Sequence, residues 1–217
     1  MLKIIVGNKR YSSWSLRGWL AVKHAGLPHE ERVIPMWTPE YEAAKADGLL
    51  PSGKVPTLWD GSDVVVWDSL AITDYLADKV GGDRFWPADP AARAFARSIS
   101  AEMHSSFSAL RQQCGMNLGR HYPNFAVSAE TRADIDRITA LWTEARTRFG
   151  AGGDFLFGAF GAADIMFSAV VTRFVTYDIE LPPVAQAYVE AMVAQPFMRE
   201  WKAGADAETI ILEKYEL

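Results

Sequence analysis

A chain of 217 residues, 49% hydrophobic and 23% charged, is long enough to bury a sizeable core and to divide into two modest domains. Its formal net charge of -5 comes without a clustered Lys/Arg stripe, which excludes the electrostatic footprint of a nucleic-acid binder. Cys114 is the only cysteine, which excludes an internal disulfide, a thiolate metal cluster and a CxxC redox pair; the four histidines lack ligand-like spacing, so no metal is expected.

Residues 2–6 form an apolar run that predicts a strand. Lys9 and Arg10 follow it, so the order of a secretory signal is missing and a cytoplasmic location is expected. A helical pattern covers 13–25, closed by Gly26 and then Pro28, Gly just past the end and Pro soon after. An extended stretch at 32–34 and a short helix at 39–46 follow. Two apolar runs, 56–59 and 64–67, flank Asp60-Gly61, a strong hairpin signal, and a helix spans 69–80. The sum is βαβαββα, the thioredoxin-like arrangement of a mixed four-stranded sheet with helices on both faces.

Residues 81–89 break into Gly, Asp and Pro around Phe85-Trp86 and read as a linker. Beyond it helices are expected over 90–119, 130–149, 162–176, 184–194 and 197–203, giving domains at 1–80 and 90–217, the second all-helical. The most apolar stretch, 159–171, carries Asp164 and falls short of the ~20 residues a membrane span needs. In it Gly161 is placed as an N-cap, with Asp164 positioned to accept the Gly161 N–H.

In a thioredoxin-like domain the reactive spot is the N-terminus of the first helix, where unpaired N–H groups and the helix dipole favour a thiolate. Here that spot reads Tyr11-Ser12-Ser13-Trp14-Ser15, hydroxyls without sulfur, so thiol chemistry needs a thiol imported with a ligand. Lowering a thiol pKa from ~8.5 by ~2 units takes ~2.7 kcal/mol of preference for the anion. A donating hydroxyl supplies ~1.5–3 kcal/mol and the helix terminus ~0.3–1 more, so Ser12 or Ser13 suffices. A plain N-cap is the commoner reason for such serines. Downstream, Lys54-Val55-Pro56-Thr57 opens a strand with proline; a cis Val55–Pro56 bond leaves the Val55 backbone free to pair with an extended peptide. Trp67-Asp68-Ser69-Leu70 starts a helix after a strand and offers hydroxyl and N–H groups to a carboxylate. His104, Phe107, Ser108 and Arg111 recur at helical spacing on the first long helix, a mixed face suited to a second-substrate cleft. Cys114, Trp37, Trp86 and Trp142 read as core or interface residues.

With the GKVPTL, WDSLAI and FGAADI segments in order, the chain resembles the glutathione transferase superfamily along essentially its full length. Ser12-Ser13-Trp14-Ser15-Leu16-Arg17 is most similar to the Ser-Ser-Cys-Ser-x-Arg motif of the zeta class, which includes maleylacetoacetate isomerases, with Trp14 in the cysteine's place. The resemblance implies a homodimer that binds glutathione as co-substrate and attacks a small electrophile. It assigns Ser12 as donor to the thiolate, with Ser13 and Ser15 as competitors, Val55 as backbone partner of the cysteinyl group, Asp68 and Ser69 as γ-glutamyl anchors and Lys54 at the glycyl carboxylate. Where the zeta isomerases are expected to carry an arginine this chain has Thr176, with Arg173 about a turn earlier, in reach of an acidic substrate. Isomerisation, peroxide reduction and a binding-only role stand as alternatives.

Overall fold

β1 (Leu2–Val6) is the strand around which the first domain is built. The structure, a computed structural model, describes residues 1–216, and Leu217, the last residue of the expected second domain, lies outside them. The sheet order is β2-β1-β3-β4. β2 (His29–Val33) runs parallel to β1, with Arg32 opposite Ile5, and β3 (Thr57–Asp60) runs antiparallel, with Leu58 opposite Ile4. β4 (Val64–Trp67) completes the hairpin, turned at Gly61 with φ +67°. Leu2, Ile4, Ile5 and Val6 are all buried, so both faces of β1 are covered, which is why it reads as an unbroken apolar run. β2 begins at His29 rather than at the expected Arg32. Its His-Glu-Glu-Arg sequence has no apolar alternation, and its length is set by the ladder with β1.

α1 (Ser13–Ala25), α2 (Pro39–Ala46) and α3 (Ser69–Val80) match the helical expectation, and α1 ends at Gly26 in the left-handed region. α1 is buried on nearly every side because it lies between the sheet domain and the helices that follow. At Gly18 a side chain has no room: a Cβ there would stand 2.7 Å from the Pro56 ring.

The second domain consists of α4 (Pro90–Ser105), α5 (Ser108–Gln113), α6 (Ala129–Phe149), α7 (Ala162–Thr176), α8 (Pro183–Ala194) and α9 (Pro196–Asp206). The helix expected over 90–119 is therefore interrupted. Phe107 takes φ +63°, buries its ring in the core, and redirects the chain into α5, where Asp134 accepts the Leu110 N–H at 2.9 Å. α7 is the central helix, with Phe167 and Phe174 packed against Trp142. Asp164 caps it as expected, accepting the Gly161 N–H at 2.9 Å and the Leu156 N–H at 3.1 Å. Trp86, Trp142 and Cys114 are core residues, whereas Trp37 is 51% exposed with Lys214 over its ring, so of the two expected places, core or interface, it does not take the core. No helix among the described residues is long and apolar enough to cross a membrane. The architecture is a thioredoxin-like domain followed by an all-helical domain.

Candidate active site

The chain enters α1 through a chain of hydrogen bonds made by serines. Ser12 is the N-cap, and its Oγ accepts the Ser15 N–H at 3.3 Å. The Ser12 and Ser15 hydroxyls are hydrogen-bonded at 2.8 Å, and Ser15 Oγ accepts the Gly7 N–H at 2.9 Å. Ser15 is fully buried, and its hydroxyl ties the end of β1 to the helix. Ser13, the first residue of α1, makes no side-chain hydrogen bond among the described residues.

Val55 lies beside this strap: a Cβ on Gly7 would stand 3.0 Å from Val55 Cγ2. The Val55–Pro56 bond is cis, and no backbone group among the described residues pairs with Val55. Pro56 is buried against Gly18 and Lys54 is exposed. At α3, Asp68 is the N-cap at φ +74°, an unusual conformation for a non-glycine residue, and its Oδ1 accepts the Leu70 N–H at 2.8 Å. Ser69 is 1% exposed and its hydroxyl has no partner among the described residues; burying such a group without a hydrogen bond costs the fold ~1–3 kcal/mol.

The helical domain faces these residues through α4, α5 and α7. His104 Nε2 meets the Asp68 carboxylate at 2.8 Å and its ring stands edge-on to Trp14, the centroids 5.3 Å apart. The Trp14 ring also carries two guanidinium groups, Arg17 at 4.6 Å and Arg111 at 5.0 Å. Arg17 is fully buried; its Nε donates to Met166 O at 2.9 Å, while both terminal nitrogens lack hydrogen-bond partners among the described residues. Burial first, then the neighbouring Arg111 and Arg173, push its pKa well down, against a smaller opposing pull from Asp68. Arg111 donates to Ser106 O at 2.9 Å and to Met103 O, closing the C-terminus of α4, where a cation suits the helix dipole. Arg173 donates to Cys114 O and Ala169 O, both at 2.8 Å, and burial followed by Arg111 brings its pKa down to about 10, so it stays charged at neutral pH. Burial pushes the Cys114 thiol up to about 11, which leaves it inert.

The sequence-predicted residues thus divide. His104, Arg111 and Arg173 belong to one connected cluster with Asp68. Phe107 is a core residue and Ser108 an exposed one at the start of α5, because the helix on which all four were to share a face breaks between His104 and Ser108. Sequence reasoning passed over Arg17 and Trp14 as site residues. The available signal was an arginine near the start of the otherwise apolar Leu16 to Val22 run.

The glutathione S-transferase N-terminal domain profile matches residues 11–79. Among curated proteins, glutathione S-transferase GstB of Escherichia coli is 27% identical over 184 residues, covering 83% of this chain and 88% of that protein. Protein IN2-1 homolog A of rice (Oryza sativa) is 25% identical over 167 residues, 77% of this chain, which spans only 63% of the rice protein. Among solved structures, a glutathione transferase homolog from Burkholderia with bound glutathione superposes with TM-score 0.68 at 23% identity, covering 95% and 99% of the two chains. A bacterial zeta-class maleyl pyruvate isomerase reaches TM-score 0.70 at 21% identity, covering 96% and 100%. At these identities the structural likeness establishes the fold. Together with the profile match and the curated relatives it supports the glutathione transferase superfamily.

Proposed function

We propose that the chain is a glutathione transferase that holds the tripeptide on its sheet domain and presents the thiolate at the N-terminus of α1. The observation that carries this reading is the set of unmet hydrogen-bonding groups: the Val55 backbone and the buried Ser69 hydroxyl have no partner among the described residues. An extended peptide supplies partners for both, as an added strand at Val55 and as a carboxylate at Ser69 and the first N–H groups of α3. Asp68 meets the γ-glutamyl ammonium, and Lys54 is the cation for the glycyl carboxylate.

Ser12 is the thiolate donor in this scheme. Within the chain its hydroxyl donates to Ser15 Oγ, which also accepts the Gly7 N–H. When the thiolate binds, rotation of the Ser12 hydroxyl turns its proton to the stronger, anionic acceptor, and the Ser15 hydroxyl then donates to Ser12 Oγ in its place. The thiolate attacks an electrophilic carbon, forming the C–S bond as the bond to the leaving group breaks and that group departs with its electron pair as an anion. Arg17 and Arg111 over the Trp14 ring, and the nearby Arg173, have no carboxylate bonded to them among the described residues, which favours an electrophile that carries an acidic group.

The same arginines favour a second reading, isomerisation. There the thiolate adds to a carbon–carbon double bond conjugated to a carbonyl, the electron pair moves onto that carbonyl, the new single bond rotates, and elimination restores thiolate and alkene. The proposal extends to a cytoplasmic homodimer; the exposed Val64 and Trp67 on edge strand β4 are apolar surface that such an assembly would cover.

The test is calorimetric titration of glutathione into the wild type and the Ser12→Ala, Ser13→Ala and Ser15→Ala variants, with the thiolate followed by ultraviolet absorbance across pH. The expected result is binding with a lowered thiol pKa in the wild type, and loss of that shift with affinity retained in Ser12→Ala. Absence of glutathione binding in the wild type overturns the reading.

A further inference from the structure

Helix α7 has a second working surface. Arg173 is buried and donates to Cys114 O and Ala169 O, whereas Val171 and Val175, two residues to either side and so ~200° round the helix, line a cavity on another side. With Val193 of α8 and Met198 and Trp201 of α9 they line a cavity of about 440 Å³, within the ~300–1,000 Å³ range of small-molecule sites. Val171, Met198 and Trp201 are buried at its floor, while Val175 and Val193 are each 47% exposed on its walls. None of the residues assigned to glutathione lines it.

Its rim is basic in a chain whose net charge is -5. Arg120, His121, Arg199 and Lys202 line the cavity against a single acid, Asp206. Lys202 is paired with Asp206 at 2.6 Å and Arg120 with Glu216, and His121 stands 3.9 Å from Asp178. Arg199 makes no ion pair among the described residues, so one full positive charge at the mouth of an apolar cavity is unanswered.

We propose that this cavity is a ligand site for a small amphipathic carboxylate, its aliphatic or aromatic body against Val171, Met198 and Trp201 and its carboxylate at Arg199. The apolar walls reward an apolar body with removal of exposed valine surface from water. The unpaired guanidinium selects a carboxylate through charge-assisted hydrogen bonds. This proposal does not depend on the glutathione reading.

Octanoate and 1-octanol, the same chain with and without the anion, are titrated calorimetrically into the wild-type protein and into Arg199→Glu and Val193→Glu, both exposed positions outside the glutathione site. The expected result is one octanoate per chain, at least tenfold tighter than octanol and unchanged by saturating glutathione. Affinity falls at least tenfold in each variant, and circular dichroism melting curves match the wild type. Absence of saturable octanoate binding, displacement by glutathione, equal affinity for octanol, or wild-type octanoate affinity in either variant would overturn it.

Discussion

Nε2 of His104 lies 2.8 Å from Oδ2 of Asp68, tying the last turn of α4 to the residue that caps α3 across the boundary between the two domains. Both side chains are partly exposed, so the pair itself contributes only ~0–1 kcal/mol to stability. What it fixes is the direction of a carboxylate already held in an unusual backbone conformation. Asp68→Asn keeps the cap's shape and removes the charge. It is expected to weaken glutathione binding by ~1.5–3 kcal/mol, tenfold or more, with little change in melting temperature. His104→Ala should weaken it less. Equal affinities in titration calorimetry would remove Asp68 from the γ-glutamyl site.

The hydroxyl strap predicts that Ser12 and Ser15 fail differently. Ser15→Ala leaves the Gly7 N–H buried without an acceptor and should destabilise the fold by ~1–3 kcal/mol, measured as the urea midpoint at constant slope. Ser12→Ala loses a cap, ~1 kcal/mol, and with it the thiolate absorbance of bound glutathione at neutral pH. If Ser12→Ala retains that absorbance and Ser13→Ala loses it, the donor is Ser13.

How much of this was legible depends on whether local chemistry or packing decided the element. α1, α2 and α3 could be read to the residue because their boundaries carry Ser12, Thr38, Asp68 and Gly26, which act within one turn. The break at Phe107 could not, since neither Gly nor Pro marks it and the left-handed residue is held by burial of its own ring. The residues proposed to hold glutathione follow sequence order at the ends of strands and helices. The arginine cluster is assembled from α1, α5 and α7, elements far apart in sequence, so its members carried no joint signal.

Arg17 separates a structural role from a site role. Its terminal nitrogens are buried and unpartnered, and burial has already depressed its pKa, so its charge costs free energy in the fold. Arg17→Met should therefore leave stability unchanged or raised, by up to ~1–4 kcal/mol, in thermal unfolding. Activity toward carboxylate-bearing electrophiles should fall relative to uncharged ones. A large loss of stability would show that Arg17 holds the domains together instead.

Gly18→Ala sets two known effects against each other. Helix propensity favours Ala by ~1 kcal/mol, but the new methyl would stand 2.7 Å from Pro56 Cγ and 2.8 Å from its Cβ. A ring packed between helix and sheet cannot give way cheaply, and overpacking costs ~1–3 kcal/mol. Net destabilisation is expected, together with a raised KM for glutathione because Val55 moves with Pro56; a stabilised variant with unchanged KM would show that the contact is slack.

Asp164 is fully buried, and burial lifts its carboxyl to about 6 although the Leu156 and Gly161 N–H groups pull the other way. The folded protein therefore holds this proton up to about 6, while the unfolded chain releases it near 3.8. The contribution to stability is fully present below the unfolded value and is lost as pH rises through the folded one. Asp60, Glu130 and Glu216 have lowered values and slope the other way, so the signature is in the difference between variants rather than in the wild-type curve alone. Asp164→Asn has one carbonyl oxygen for two backbone donors and should cost ~1–3 kcal/mol at pH 7. That cost should grow as pH falls from about 6 toward 4, because only the wild type takes up the proton. Urea unfolding at several pH values measures it; a cost independent of pH would mean that the two N–H bonds outweigh burial and Asp164 stays ionised throughout.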